Sequence, residues 1–295
     1  MAWKTQQIPN LSGRIAVVTG ATSGLGLASA RELADHGAHV VMTARNAGRG
    51  EQALATVKAA VPTASVEVRP LDTSSLASVR AFAESWEGPL DMLLNNAGVM
   101  AVPYSLSADG FELHIATNHL GHFALTGLLL PALESAPAAR VVTVSSQAAK
   151  QPATSFGDLV GDTDYNKWKA YARSKLANLL FALEFQRRLT VAGSSVSSLA
   201  AHPGLAATGL FTGDSDRMAS IVKVVGQSAD AGALPQLRAA TDPNARGGEY
   251  YGPSFAQLRG APKKVAPGKA AADPVAARSL WSQSESLTGV VYAFD

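Results

Sequence analysis

The chain has 295 residues, of which 47% are hydrophobic and 16% are charged, and its formal net charge is +2. This composition excludes a disordered chain and provides enough apolar area for a large core. No run of Lys or Arg is longer than a pair, which argues against a nucleic-acid partner. The lack of cysteine excludes disulfides, thiol catalysis and thiolate metal sites.

Short β-branched apolar runs predict strands, and apolar residues at helical spacing predict helices. The expected strands cover 14–19, 39–43, 66–68, 90–94, 140–145 and 194–200, with a short further one at 249–251. The expected helices run from the glycines near 24 to about 36, then over 50–61, 75–86, 106–133, 164–190 and 274–288. This alternation predicts an α/β fold, a doubly wound parallel sheet of about seven strands with helices on both faces.

The alternation of strands and helices becomes less regular after about residue 204. We therefore expect one domain, 1–295, in which 14–204 form a dinucleotide-binding and catalytic core and 205–295 a substrate loop and C-terminal cover. Residues 1–10 lack the apolar stretch of a secretory signal, and no apolar run approaches the roughly 18 residues that span a bilayer. These features predict a cytoplasmic protein without a membrane anchor.

A glycine-rich turn follows the first predicted strand, with the sequence TGATSGLG over 19–26. Gly20 permits a tight turn, Gly24 lets the backbone approach a pyrophosphate, and Gly26 allows close packing of helix against strand. The following helix adds free N–H groups and the positive end of its dipole. The turn predicts a dinucleotide site in a Rossmann fold, and the alternative is an ordinary glycine-rich loop.

The end of the second predicted strand indicates which nicotinamide cofactor would bind. NAD-binding folds commonly place an acidic residue there for the ribose 2′-hydroxyl, whereas an arginine accommodates a 2′-phosphate. Here Arg45 and Asn46 follow the strand, Arg49 comes one turn later, and no acid is present. The sequence therefore favours NADP(H) over NAD(H), the alternative being that Arg45 is a surface residue at the start of a helix.

Tyr171 and Lys175 lie four residues apart in a predicted helix and therefore share one helical face. An unperturbed tyrosine has a pKa near 10, too high for efficient proton transfer at neutral pH. We expect the Lys175 ammonium and an oxidised nicotinamide to lower the pKa of Tyr171. The alternative is a chance spacing, which is common for these two residue types.

Six short motifs follow one another along residues 14–208. They are the glycine turn, the N-N-A-G motif at 95–98, Asn118, the serine pair at 145–146, Tyr171-x-x-x-Lys175, and Pro203-Gly204 followed by Thr208. In this combination the chain resembles the classical short-chain dehydrogenases/reductases. The segments TNHLGHFALT (117–126), YARSKLANLLF (171–181) and HPG (202–204) resemble the retinol-dehydrogenase-like branch, which grades into a protochlorophyllide-reductase-like one.

The resemblance implies four catalytic residues. Tyr171 would exchange a proton with the substrate oxygen, and Lys175 would lower the Tyr171 pKa and hold the nicotinamide ribose. Ser146, rather than Ser145, would hydrogen-bond the substrate oxygen, because the second serine of the pair is the family position and only one of them can face the site. Asn118 would help a water position Lys175; the alternative for Asn118 is a bond to its own helix backbone.

The resemblance also implies the cofactor contacts. Asp72 would meet the adenine, with an N-cap role as the alternative. The full cofactor set is Gly20, Thr22, Ser23, Gly24, Leu25, Gly26, Arg45, Asn46, Asp72, Thr73, Asn96, Ala97, Gly98, Tyr171, Lys175, Pro203, Gly204, Leu205 and Thr208.

The sequence lacks the residue patterns of a metal site, of an α/β-hydrolase and of a P-loop nucleotide hydrolase. His119 and His122 are three apart, with His114 nearby, but no carboxylate joins the pair at helical spacing, so no metal is expected. Neither a G-x-S-x-G elbow nor a P-loop is present.

The sequence thus predicts an NADP(H)-dependent oxidoreductase that acts on a hydrophobic small-molecule carbonyl or alcohol. A non-catalytic NADP-binding regulatory protein of the same fold and a sugar-nucleotide epimerase are the alternatives. The insert 147–164 would shape the substrate mouth, and Trp168, Phe211 and Met218 would be either pocket walls or core. The resemblance further implies a homodimer or homotetramer.

Overall fold

The computed structural model describes residues 2–150, 165–205 and 227–294, and eight strands in these ranges form one sheet. The strands are β1 (Ile15–Val18), β2 (His39–Ala44), β3 (Val66–Pro70), β4 (Met92–Asn95), β5 (Arg140–Val144), β6 (Ser197–Ala201), β7 (Tyr250–Phe255) and β8 (Arg259–Lys264). Their order in the sheet is β3-β2-β1-β4-β5-β6-β7-β8. The first seven are parallel, and β8 runs antiparallel to β7.

Helices cover both faces of this sheet, as the alternation of elements predicts. They are α1 (Gly24–Asp35), α2 (Ala47–Ala60), α3 (Leu76–Glu84), α4 (Leu113–Ile115), α5 (Gly121–Leu128), α6 (Leu130–Glu134), α7 (Lys167–Ala192), α8 (Ala229–Thr241) and α9 (Pro274–Thr288). A π-helical turn over Ala116–Leu120 joins α4 to α5. Short 3₁₀ turns cover Thr5–Gln7, Gln147–Lys150 and Ala270–Ala272.

The side chains of β1 alternate between two apolar cores, one on each face of the sheet. In β1, Ala16 and Val18 pack with α1, α2 and α8, whereas Val17 packs with α3, α5, α7 and α9 on the other face. This period of two follows from the pleat, because successive side chains point to opposite sides of a strand. The doubly wound α/β architecture is confirmed.

The C-terminal part of the chain contains two elements that the sequence analysis does not predict. One is α8, which contains Gly232 and Pro235, both poor helix formers. The other is the hairpin of β7 and β8, whose strands carry Pro253 and Pro262. The prediction of a short strand at 249–251 and about seven strands in all therefore falls one antiparallel strand short.

The long helix expected over 106–133 is wrong in its first turns and in its continuity. Leu106 forms an isolated antiparallel bridge with Glu112, and Gly110 adopts a positive φ of 81° between them. Glu112 then caps the next helix by accepting the N–H groups of His114 and Ile115, so that α4 starts at Leu113. By contrast, the bounds expected for the last helix, 274–288, coincide with α9.

Candidate active site

A cleft of about 340 Å³ lies at the carboxyl ends of the central strands, where the strand order reverses between β1 and β4. Ligands of doubly wound folds bind at this kind of position. The predicted residues in its wall are Gly20, Thr22, Ser23, Gly24, Leu25, Gly26, Arg45, Asn46, Asp72, Thr73, Asn96, Ala97, Gly98, Tyr171, Lys175 and Pro203. The structure therefore brings most of the predicted cofactor set to one cleft.

The glycine turn is packed tightly against the N-N-A-G turn that follows β4. Gly20 has a φ of +64°, and a Cβ added to it would lie 2.9 Å from the Cα of Ala97. A Cβ on Gly26 would lie 2.4 Å from the carbonyl oxygen of Gly20 and 2.6 Å from Nδ2 of Asn96. These contacts leave no room for a side chain at either glycine, which explains the residue type at both positions.

The start of α1 is suited to a phosphate. Ser23 occupies the N-cap position, but its side chain makes no capping hydrogen bond. Within the described ranges, no side chain accepts from the first-turn N–H groups of α1, which lie beside the cleft at the positive end of the helix dipole. The donors and the glycine cradle together fit the diphosphate of a dinucleotide cofactor.

The end of β2 presents two arginines to the cleft. Arg45 and Arg49 are exposed, both line the cleft, and neither forms an ion pair within the ranges that the structure describes. Asn46 lines the cleft too, but its side chain caps α2 by accepting the Arg49 N–H at 2.9 Å. The two guanidinium groups are therefore available to an anion at this end of the cleft.

Asp72 and Thr73 also line the cleft. Oδ1 of Asp72 accepts hydrogen bonds from the N–H and the hydroxyl of Ser74, at 2.9 and 2.6 Å. Asp72 thus closes a local turn ahead of α3, while Ser75 occupies the N-cap position that was the alternative for Asp72. Its position in the wall is compatible with a second role toward a ligand.

At the other end of the cleft, α7 brings Tyr171 and Lys175 together with the serine pair. The Ser146 side chain is near enough to the Tyr171 hydroxyl to lower its pKa, although Ser146 does not itself line the cleft. Nζ of Lys175 donates to the carbonyl oxygen of Val144 at 3.0 Å, and Oγ of Ser145 donates to the Lys175 carbonyl at 2.6 Å. Ser145 is thus occupied by the helix backbone, whereas the Ser146 hydroxyl accepts the Ala148 N–H at 3.2 Å.

The pKa values of Tyr171 and Lys175 in the protein without cofactor differ from those that the sequence analysis expects with an oxidised nicotinamide bound. Burial raises the pKa of Tyr171 above 10, and the hydrogen bond with Ser146 lowers it by less. Burial also lowers the pKa of Lys175 to about 8. The protein alone therefore does not lower the Tyr171 pKa, because desolvation outweighs every stabilisation of the phenolate, and the Lys175 ammonium donates to Val144 instead.

Asn118 lies in the π-helical turn and is completely buried. Its Oδ1 accepts the Val99 N–H at 2.8 Å, and its Nδ2 donates to the Val99 carbonyl at 3.0 Å and to Oγ of Ser174 at 2.8 Å. The side chain thus pins the loop after β4 to α7, which is not the bond to its own helix considered as the alternative. Asn118 does not itself line the cleft.

A buried polar cluster beside Tyr171 was not predicted from the sequence. Nδ1 of His114 lies 2.7 Å from Oε1 of Glu112, and both side chains are almost fully buried. The Tyr165 hydroxyl donates to the Val102 carbonyl at 2.9 Å and lies 3.2 Å from Nδ1 of His114. The His114 ring meets the Tyr171 ring edge-on at 6.2 Å. This cluster fixes the loop before α4 against the tyrosine.

The remaining predicted residues lie in different places. Gly204 and Leu205 follow Pro203 but are not part of the cleft wall; the Leu205 N–H donates to the Leu258 carbonyl at 2.8 Å. Trp168 is 42% exposed at the start of α7 and is thus not a core residue. Thr208, Phe211, Met218 and 151–164 lie outside the part of the chain that the structure describes.

Several further residues line the cleft that the predicted set does not contain. They are Thr43, Ala44, Arg49, Leu71, Val99, Thr117, Val144 and Ser145. Four of them, Thr43, Ala44, Leu71 and Val144, end or follow strands, so the rule that ligands bind at the carboxyl ends of parallel strands could have found them. Thr117 gives no such signal, because only the helical turn places it there.

The two histidines weighed as metal ligands make other contacts. Nε2 of His119 bonds Oγ of Ser284 on α9, and His122 bonds Thr19 and the Asn118 carbonyl. Within the described ranges, no group of three or more His, Asp or Glu residues is arranged to hold a metal ion. No helix in those ranges is both long and apolar enough to cross a membrane.

The strand order and the glycine-rich turn at the start of α1 are those of a Rossmann-type fold. The family model described as short chain dehydrogenase matches residues 14–219. The chain belongs to the short-chain dehydrogenase family, in its retinol-dehydrogenase-like branch.

Individual relatives and one solved structure support this assignment. Retinol dehydrogenase 12 of Bos taurus is 48% identical over 198 residues, which is 66% of this chain and 62% of that protein. The chain thus matches less than two thirds of the length of that enzyme. Polyprenol dehydrogenase of Mus musculus is 39% identical over 294 residues, covering 96% of this chain and 86% of the relative. The crystal structure of an uncharacterised protein from Mycobacterium paratuberculosis is 44% identical with a TM-score of 0.85, over 99% of this chain and 100% of that one.

Proposed function

We propose that the protein is an NADP(H)-dependent oxidoreductase that interconverts a lipophilic alcohol and its aldehyde or ketone. The observation that carries the proposal is that Tyr171 and Lys175 line the same cleft as the glycine cradle. A redox cofactor and a proton donor are the two requirements of carbonyl reduction, and this cleft offers a site for both.

Tyr171, Ser146 and Lys175 would have separate roles in the reaction. When bound, the nicotinamide supplies or accepts the hydride. In the direction of reduction, the Tyr171 hydroxyl gives its proton to the carbonyl oxygen, and the Ser146 hydroxyl donates a hydrogen bond to that oxygen as its negative charge develops. In oxidation, Tyr171 accepts the proton of the alcohol. Since burial raises the Tyr171 pKa, the positive charge of the oxidised cofactor and of Lys175 has to lower it for this direction.

The preference for NADP(H) rests on Arg45 and Arg49. Both guanidinium groups are exposed at the cleft, and a guanidinium binds phosphate oxygens through charge-assisted hydrogen bonds. The wall around the adenosine end includes Asp72, but no acidic residue follows β2, where a ribose 2′-hydroxyl would be bound in an NAD-specific site.

The preference for a lipophilic substrate rests on exposed apolar side chains near the buried cluster that contacts Tyr171. The His114 ring packs on Tyr171, and the ring of Tyr104 packs edge-on against Tyr165 at 5.2 Å. Tyr104 and Leu106 are 46% and 51% exposed. The names of the retinol and polyprenol dehydrogenases above point to the same class of long apolar alcohols. Cytoplasmic location and homodimeric or homotetrameric assembly stay predictions.

The substitution Tyr171→Phe tests the function. It removes the proton donor and keeps the ring, so we expect turnover of a panel of apolar aldehydes and ketones to fall by about 10²–10⁴-fold. NADPH binding, measured by fluorescence titration, should change little. The control is Tyr251→Phe, whose hydroxyl bonds Glu249 outside the cleft. Near-normal turnover by Tyr171→Phe would refute the assignment, and NADPH binding without any oxidation by the wild type would favour the regulatory alternative.

A further inference from the structure

His122 lies under the cleft on α5, and its ring nitrogens contact residues from two other parts of the site. Nε2 is 2.9 Å from Oγ1 of Thr19, the residue that precedes the glycine turn. Nδ1 is 2.9 Å from the backbone carbonyl of Asn118. The side chain is 1% exposed, so both contacts are shielded from solvent.

The direction of these two bonds follows from the partners. A carbonyl oxygen only accepts, so Nδ1 of His122 carries the proton that it donates to Asn118. Burial and the Lys175 charge lower the pKa of His122 and the bond to Asn118 raises it, which together give a pKa of about 4. The imidazole is therefore neutral at physiological pH, and Nε2 has a lone pair that accepts the Thr19 hydroxyl.

The Thr19 hydroxyl oxygen also accepts two backbone hydrogen bonds. Its Oγ1 accepts the N–H groups of Asn96 and Ala97, at 2.8 and 2.9 Å. With both lone pairs occupied, its single proton is left for Nε2 of His122 at 2.9 Å or for the Leu94 carbonyl at 3.2 Å, and the shorter contact is the histidine. His122 thus bonds the residue that holds the glycine turn and the N-N-A-G turn together.

Asn118 continues the chain of contacts to the reacting groups. Its Nδ2 donates to Ser174, whose hydroxyl donates to the Tyr171 carbonyl at 2.8 Å. A Cβ on Gly98 would lie 3.0 Å from Oδ1 of Asn118 and 3.4 Å from Nζ of Lys175, so these two groups border the same small space. One imidazole therefore connects the turn at the cofactor cradle with the asparagine beside the lysine.

We infer that His122 is a positioning residue for the oxidoreductase reaction, fixing the cofactor cradle through Thr19 and the Asn118 carbonyl through Nδ1. The inference rests on the proposed function. It assigns separate effects to the two ring nitrogens: the Nε2 contact sets cofactor binding, and the Nδ1 contact sets the geometry at Lys175 and thus turnover.

Three substitutions at one position separate these effects. His122→Leu removes both bonds, and we expect it to weaken NADPH binding and to lower kcat, each by about five- to tenfold, as for one lost hydrogen bond. The amide of Gln reaches further than that of Asn, so His122→Gln should keep the Thr19 bond and restore NADPH binding. His122→Asn retains the shorter reach to the Asn118 carbonyl and should restore kcat instead.

The neighbouring His119 provides a matched control. It is also 1% exposed and in the same helical segment, and its pKa is likewise lowered by burial, to about 3. Its Nε2, however, bonds Ser284 of α9, away from the cleft. His119→Leu should lower the melting temperature without changing the Kd for NADPH or kcat, whereas His122→Leu should change all three.

The measurements are fluorescence titration with NADPH, steady-state kinetics, and thermal melting of each purified full-length variant. Equal effects of His119→Leu and His122→Leu on Kd and kcat, or identical behaviour of the Gln and Asn variants, would overturn the inference. If His122→Leu does not fold, the contrast between the Gln and Asn variants still decides it. A wild type that binds NADPH but oxidises none of it refutes the proposed function, while the Kd data still test the Thr19 half of the inference.

Discussion

Replacing the arginines at the end of β2 tests whether the cleft selects a 2′-phosphate. We expect Arg45→Ala to lower kcat/KM for NADPH and to leave kcat/KM for NADH unchanged, because only NADPH carries the phosphate that a guanidinium would bind. Arg49→Ala should act in the same direction, since Arg49 lies four residues further and lines the same part of the cleft.

The expected loss of kcat/KM for NADPH follows from the solvent exposure of Arg45 and Arg49. A hydrogen bond to a charged group contributes about 1.5–3 kcal/mol, and solvent screening of these exposed side chains argues for the lower end of that range. About 1.5 kcal/mol corresponds to a loss of roughly tenfold for each arginine. Because both would contact one phosphate, the double variant should lose less than the product of the two single losses.

The assay is the oxidation of NADPH and of NADH, followed by absorbance with one carbonyl substrate for all variants. Arg69→Ala is the control, because Arg69 lies on β3, is bonded to Glu67 and is outside the cleft. The loss for Arg45→Ala should also shrink as ionic strength rises. Equal losses with both cofactors, or a larger loss with NADH, would refute the reasoning.

Two further predictions concern stability. The pKa of Glu112 lies below its ordinary value of 4.5, because hydrogen bonds from the His114 side chain and backbone outweigh the upward effect of burial. A depressed folded-state pKa stabilises the protein above pH 4.5 and loses that contribution as the pH falls through the folded-state value. Glu112→Gln should therefore cost about 1–3 kcal/mol in urea unfolding at neutral pH and progressively less below pH 4.5. A difference that stays constant as the pH falls below 4.5, or an equal cost for the exposed Glu87→Gln, would contradict this. Trp281→Ala should lower the free energy of unfolding by about 3–5 kcal/mol, because Trp281 is 2% exposed and packs on Phe123 and Tyr292. The control Val191→Ala, at a 78% exposed site, should lower it little. Similar urea midpoints for the two variants would show that the aromatic packing is unimportant.

The sequence was most informative where local signals agree with the final packing. Helix α9 has Asp273 at its N-cap, Pro274 in its first turn and Gly289 in the left-handed region after its end, and its predicted bounds are those observed. Helix α8 also has a capping residue, Ser228, but Gly232 and Pro235 inside it interrupt the helical pattern of the sequence. Its position depends on contacts such as the bond from Gln236 to Ser29 of α1, which only the folded chain brings together.

The same distinction holds for the candidate site. The glycine turn, Tyr171 and Lys175 are recognisable because their spacing is short and carries its own physical reason. The cluster of Glu112, His114 and Tyr165 is not recognisable in this way, because Tyr165 lies 51 residues from His114 along the chain. The raised pKa of Tyr171 could not be predicted either, since it depends on how deeply α7 lies against the sheet.

The aromatic packing of α9 on the rest of the molecule bears on how the chain folds. The Tyr292 hydroxyl donates to the Phe123 carbonyl across 169 residues, and His119 bonds Ser284 across 165. Such non-local contacts form only after long loops close, so this side of the sheet is completed late. Until then the rings of Phe123, Phe181 and Phe185 lack their cover, and refolding at high protein concentration should suffer aggregation at that stage.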